Sequence, residues 1–401
     1  MTPSLRILTA AALMLWSVPV SLWSQAVVEM EPIVVSARYP DPAITLSAFD
    51  ETSLTREDIA NAPQDRLDDL LKTEVPGFSL FRRTSSEVAN PTTQGPSLRN
   101  IGPNGAGSTL VLLDGVPQND PFGGWVYWHR LPPSLLGGVT VVRGGGAGLF
   151  GNNALGGTIY LTRHEPETLA ASLTAGNREI FEGTLMSSMN AGPFRVIATA
   201  HGQTTEGYPI VRADQRGPID VNADSSSYLF ETGISSTLDS GAEVTLRASW
   251  FEEERGNGTP FTGNHTEALD LSLGIRSPEG DVRWETVLFY QGRRFESTFS
   301  YVNEDRTAET PALDQYEVPA HSLGFSFTTT FAGGIPLPGA DKVESKLVTG
   351  VDARWIEGET REHFRFVDGA FLSDRKAGGT QWLVGAFAEQ TWKMSPDLLI
   401  I

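Results

Sequence analysis

Beyond Pro166 the chain alternates in character residue by residue. Ala242, Val244, Leu246, Ala248 and Trp250 fall between Glu243, Thr245, Arg247 and Ser249. Val282, Trp284, Leu288 and Tyr290 share one side of a segment whose other side opens with Asp281, Arg283 and Glu285. Leu323, Phe325, Phe327 and Phe331 interleave with Ser322, Gly324, Ser326 and Thr330. Phe194, Val196, Ala198 and Ala200 repeat the theme, as do Tyr228, Phe230 and Ile234. A period of two predicts strands with one apolar and one polar face. A transmembrane β-barrel reads this way, lipid on one side and a polar lumen on the other. A soluble β-sandwich reads the same way, and period alone does not separate them. About ten such strands fit between Leu169 and Ile401. Trp250, Trp284 and Trp355, expected near strand ends, favour the barrel.

Upstream the pattern differs. Thr55-Arg56-Glu57-Asp58 has the form of a capping box and predicts a short helix opening at Ile59. A second helix follows Pro63 with Leu67, Leu70 and Leu71 on one face, and Asp68-Asp69 on its solvated side. Pro76-Gly77 ends it. Residues 78–163 then read as short strands between Gly, Pro and Asn clusters, so a small α+β domain is expected over 46–165. Residues 27–45 are extended and proline-interrupted (Pro32, Pro40, Pro42), the composition of a mobile tail.

Composition narrows the setting. Arg6, the apolar run 7–18 and Ser24-Gln25-Ala26 form a secretory signal peptide over 1–26. No later stretch reaches the ~20 apolar residues of a membrane helix, so a membrane role would need a closed barrel. Cysteine is absent, which excludes disulfide stapling and Cys-ligated metals. A formal charge of −19 offers no basic stripe for nucleic acid. The six histidines are scattered without zinc-ligand spacing, and no Gly-x-Ser-x-Gly elbow occurs, so neither enzyme, cofactor nor metal centre is expected.

Five segments, in order, resemble one family. Glu31-Pro32-Ile33-Val34-Val35-Ser36-Ala37 is an extended β-branched peptide placed just after the leader. Leu70–Phe78 ends a helix in Pro-Gly and a strand, and Ser97-Leu98-Arg99-Asn100 follows, with Asn100 where the family usually has glycine. Leu112-Leu113-Asp114-Gly115-Val116-Pro117 is a strand with a tight turn. Val141-Val142-Arg143-Gly144 leads to Gly151-Asn152-Asn153 and Gly156-Gly157. Together these resemble the plug domain of TonB-dependent outer-membrane receptors. The resemblance implies a plug in the lumen of a 22-stranded antiparallel barrel. It also implies a TonB box at Ile33, Val34, Val35, Ser36 and Ala37, gripped by TonB through strand addition. Arg99, Asp114, Gly115, Arg143, Gly144, Gly151, Gly156 and Gly157 then carry the plug's structural motifs. The implied function is energised import of a scarce, bulky nutrient, such as a siderophore or cobalamin, across the cell outer membrane. Partners are the TonB complex, outer-membrane lipid and a small chelate ligand. A passive plugged channel or adhesin, and a soluble exported binding protein, are the alternatives.

Two further expectations follow. Trp125, Tyr127, Trp128, His129 and Arg130, with Arg82 and Arg83, are candidate ligand-binding residues on apical plug loops: aromatics beside cations can stack on a planar ligand and pair with an anion. The competing reading is that Trp125, Tyr127 and Trp128 pack inside the plug or on the barrel wall. Secondly, ten strands ~4.8 Å apart and tilted ~40° close to a diameter near 20 Å. A domain of about 115 residues is roughly 34 Å across, so residues 166–401 are expected to be only the first part of a barrel, the chain being truncated. A G-x-G-x-x-G fingerprint at Gly146–Gly151 follows a strand, but the Asn- and Gly-rich interval after it leaves no room for the helix a dinucleotide site needs.

Overall fold

The computed structural model describes residues 50–81, 84–99, 101, 106–144, 154–336, 343–395 and 398–401. The leader, the TonB-box segment, Arg82, Arg83, Asn100 and Gly151 lie outside the described residues.

The N-terminal domain packs two short helices on a five-stranded mixed sheet. Strand β1 (Asp50–Thr55) runs into α1 (Arg56–Asn61). The capping box is present: Thr55 accepts from the Asp58 amide and Asp58 accepts from that of Thr55. It opens the helix at Arg56 rather than at Ile59, because the capping side chain sits immediately before the first helical residue. Helix α2 (Leu67–Glu74) buries Leu67, Leu70 and Leu71. Asp68, expected in solvent, is buried instead, where Lys72 and the Ser86 hydroxyl and amide satisfy its carboxylate.

Strands β2 (Phe78–Leu80) and β3 (Pro96–Leu98) form a separate pair. β4 (Thr109–Leu113), β5 (Val116–Pro117), β6 (Leu136–Arg143) and β7 (Gly157–Arg163) join β1 in the order β1-β6-β7-β4-β5. Asp114 and Gly115 both have positive φ (47° and 80°), the backbone of a tight hairpin turn between β4 and β5. Because β6 and β7 are antiparallel, the glycine fingerprint between them cannot serve a dinucleotide fold, which requires a parallel crossover. At Gly157, φ is 133° and a Cβ would lie 2.2 Å from the Val142 carbonyl oxygen, so close strand packing demands glycine. Arg143 bridges Asp50 (2.7 Å) and Thr52 on β1, Arg99 donates its amide to the Gly77 carbonyl, and Gly144 and Gly156 pair through their backbones.

Eleven antiparallel strands follow in sequence order. They are β8 (Leu169–Ala175), β9 (Phe181–Ala191), β10 (Phe194–Tyr208), β11 (Ala223–Thr237), β12 (Glu243–Gly256) and β13 (Gly263–Arg276). β14 (Val282–Val302), β15 (Glu309–Phe331), β16 (Glu344–Val367), β17 (Ala370–Ser395) and β18 (Leu398–Ile400) complete them. The sheet is open between β8 and β18 among the described residues.

The alternation resolves into two faces. Leu246, Trp250, Leu269, Leu271, Leu288, Leu323, Val351, Trp382 and Val384 are exposed on the outer face. Ser227, Glu253, Arg255, Thr266, Gln291, Arg293, Ser322 and Arg354 are buried on the inner one. Large side chains line up across the strands: Phe230 opposite Trp250, Trp250 opposite Leu269, Leu271 opposite Tyr290, then Tyr290, Leu323, Trp355 and Trp382 in register. Below this row the outer face of β14 from Val282 to Tyr290 is apolar apart from Thr286. Eight steps at ~3.4 Å and a ~40° tilt give a height of about 21 Å, close to the ~25 Å lipid band of membrane barrels. Above the row β16 carries Glu357, Glu359, Arg361 and His363 outward, and β12 and β13 carry Glu252, His265 and Glu267. Trp250 and Trp355 thus mark the edge of the apolar band and not the strand ends, because the strands run on past it.

Candidate functional site

The inner face of the sheet wraps the N-terminal domain, and the contacts between them are charged as well as apolar. On the lower side, Arg163 at the end of β7 lies 2.7 Å from Asp114 of the hairpin turn and 2.7 Å from Glu231 of β11. Arg247 of β12 adds a second cation, 4.0 Å from Asp114, 3.8 Å from Glu231 and paired with Glu165. Burial alone would raise the Asp114 carboxyl, but the guanidiniums of Arg163 and Arg247 outweigh it and hold its pKa below the usual carboxylate range. Burial likewise works against the Arg163 cation, yet Glu231 and Asp114 more than compensate and raise its pKa.

At mid-height Arg130 pairs with Asp270 of β13, which also holds Arg293 of β14 at 2.6 Å. Tyr127 donates to Asp120 (3.1 Å) and packs with Leu229, Phe251, Ala268, Phe295 and Val318 of the wall. Trp125 leans on Phe295 with ring centroids 5.6 Å apart. Trp128 points the other way, into the domain core, edge-on to Phe78 at 6.0 Å with its indole N–H on the Gln94 carbonyl. His129 sits between Glu253 (2.8 Å) and Arg255 of β12. Burial, then the Arg255 charge, lowers its pKa below 6.5. A neutral ring that donates to Glu253 through Nδ1 and accepts from Arg255 at Nε2, 3.2 Å away, uses both ring nitrogens.

The segment expected to face a ligand is therefore the segment that docks the domain on the wall. Tyr127, Trp128, His129 and Arg130 are all buried, and each spends its polar group on a protein partner. Trp125 alone of the five is partly exposed. The chemistry of these residues is visible in the sequence, but the partners that occupy His129 and Arg130 lie more than a hundred residues away, on β12 and β13.

A cavity of about 380 Å3 opens at the upper rim, a site the sequence did not signal. Its floor is the loop from Thr84 to Thr93, and its walls are Tyr208, Ile210, Asn257, Thr262 and Thr298–Ser300. Arg255 fixes the floor by donating to the Glu87 and Ala89 carbonyls, each at 3.2 Å.

These features define a class: a β-barrel wall closed by an inserted plug. Residues 46–158 match the TonB-dependent Receptor Plug Domain. The fold of the whole described chain is similar to that of FpvA of P. aeruginosa, solved with heterologous pyoverdines: TM-score 0.68 at 13% identity, covering 89% of this chain and 51% of that one. It is similar also to the copper transporter OprC (0.65, 18%, covering 86% and 53%). The ferric enterobactin receptor PfeA of Pseudomonas aeruginosa is a third (0.63, 15%, covering 89% and 56%). Residues 46–158 are thus a plug domain of the TonB-dependent receptor type, and the chain spans about half the length of these solved receptors.

Proposed function

We propose that the chain is the plug and adjoining barrel wall of a TonB-dependent importer of a small chelate or similarly scarce nutrient across the bacterial outer membrane. The observation that carries this reading is the seated plug. Its interface buries full ion pairs at two heights, Arg163–Asp114–Glu231 and Arg130–Asp270–Arg293, so the lumen is shut at rest along this wall. A buried charge left without its partner costs several kcal/mol. Displacing the plug therefore calls for work from outside the chain, which suits a periplasmic energy-coupling partner better than passive diffusion. The apolar band with its aromatic row supports placement in a membrane, and the charged extension of β14–β17 supports assigning that side to the exterior. The upper-rim cavity then faces outward, where the ligand arrives.

In this reading Ile33, Val34, Val35, Ser36 and Ala37 are the TonB box. A β-branched, extended segment lends its backbone to a partner's sheet edge. Val34→Pro removes one backbone donor and fixes φ, which weakens strand addition. Ligand binding to cells should stay normal while accumulation falls to background. Undiminished accumulation in this variant would leave the passive-channel reading in its place.

A further inference from the structure

We infer that Phe122, seated in a notch at Gly358 of β16, is a steric latch. It holds a hairpin tip of the plug on the wall and must be withdrawn before the plug can leave. The latch belongs to the closed plug and acts in the same way whatever drives opening.

Residues 119–126 form that tip, closed by the bridge between Asn119 and Val126. Asp120 organises it. Its amide donates to the Trp125 carbonyl (2.7 Å), and its carbonyl accepts from the Gly124 amide (2.9 Å). Its carboxylate Oδ1 accepts from the Phe122 and Gly123 amides (3.0 and 2.6 Å), while Oδ2 accepts from the Tyr127 hydroxyl (3.1 Å). Asn119 adds a side-chain bond to the Gly124 carbonyl at 3.1 Å. Gly123 lies against the Trp125 ring, and Trp125 in turn rests on Phe295 of β14. The backbone is therefore fixed on both sides of Phe122, which reaches β16, two strands further along the wall.

The wall leaves room for it at one position. A Cβ on Gly358 would lie 2.5 Å from the Phe122 Cγ and 2.7 Å from its Cβ. Carbon atoms do not pack that closely, and the Phe122 Cβ is set by its own backbone, so a rotamer change does not relieve the clash. In register, Gly358 lies between Ala320 on β15 and Gly379 on β17. At Gly379 an added Cβ would meet nothing within 4 Å among the described residues. Packing thus demands glycine at 358 and only permits it at the directly paired position. Glycine weakens a strand interior relative to alanine, and close approach of another chain segment is what offsets that loss here. The notch lies three residues beyond Trp355, about 8 Å above the aromatic row. Unlike the Arg163 and Arg130 ties, this contact involves no charge.

The test is pore opening of the full receptor in planar bilayers as urea rises, with neither ligand nor TonB present. Gly358→Ala should shift the plug-release equilibrium roughly 5- to 150-fold toward the open pore, the range for overpacking. Phe122 is 40% exposed, so only part of its apolar surface is at stake, and Phe122→Ala should shift release roughly 10-fold. The double variant discriminates. With the ring gone the added methyl strikes nothing, so Phe122→Ala/Gly358→Ala should open at the urea concentration of Phe122→Ala alone. Gly379→Ala should open with the unmodified receptor. A Gly358→Ala receptor that opens like the unmodified one, additive single effects, or equal loosening by Gly379→Ala each overturn the latch. Should Gly358→Ala fail to reach the outer membrane, adding Phe122→Ala should restore it, and a double variant equally absent overturns the latch too. No transport is measured, so these failures leave the import reading standing. Undiminished accumulation in Val34→Pro cells would remove that reading and leave the latch in place.

Discussion

Replacing Arg163 by leucine isolates the lower tie between plug and wall. The guanidinium lies 2.7 Å from both Asp114 and Glu231, with its side chain only 14% exposed. Leucine keeps most of the packing volume but leaves two carboxylates facing each other. Removing one member of a buried pair typically costs 3–5 kcal/mol. Two features lower that figure here. Arg247 remains near both carboxylates, at 4.0 and 3.8 Å, and Asp114 keeps 27% of its side chain in solvent. About 2–3 kcal/mol is then expected, or about 30- to 150-fold in the equilibrium for plug release. The assay is conductance of the receptor in planar bilayers as urea is raised, where release of the plug opens the pore. Glu231→Gln and the double variant complete a cycle that separates the pair's coupling from lost packing. Arg212→Ala, which breaks an ion pair whose members are 76% and 62% exposed, provides the baseline. If Arg163→Leu opens the pore at the same urea concentration as Arg212→Ala, the buried tie does not hold the plug.

Acid should loosen the plug in two stages. His129 has a folded pKa below its ordinary 6.5, so its contribution is complete above that value and is lost as pH falls below it, by at most about 2 kcal/mol at pH 5. His129→Gln should flatten the pore-opening profile between pH 7 and 5, and an unchanged slope would reassign the sensor. The Asp114 contribution persists above its ordinary 3.8 and fades only as pH falls towards its lower folded value, so Asp114→Asn should alter the response only in stronger acid. Trp128→Ala empties a core site and should destabilise the plug by about 3–5 kcal/mol, seen as lower outer-membrane levels. Normal levels with tenfold weaker ligand binding would instead return Trp128 to the ligand site.

Much of this molecule is written locally. The two-residue alternation gives the barrel strands, the Thr55–Asp58 capping box gives α1, and the Asp114-Gly115 dipeptide gives the hairpin turn, since each depends on neighbours within a few positions. The plug motifs likewise carry their family because tight turns constrain residue type directly. Three things needed the tertiary structure. Asp68 looks solvated on a helical wheel, yet a loop eighteen residues on supplies Ser86 and buries it. The aromatic-cationic run from Trp125 to Arg130 has the composition of a ligand site. Whether it meets ligand or wall depends on Glu253, Asp270 and Phe295, which strand register brings across the lumen. The rim cavity joins Asn90 to Asn257 and Tyr208, side chains with no local pattern linking them. Sequence period fixes which way a strand's side chains point. Only the packing of plug against wall decides which of them are spent on the protein and which are left for a ligand.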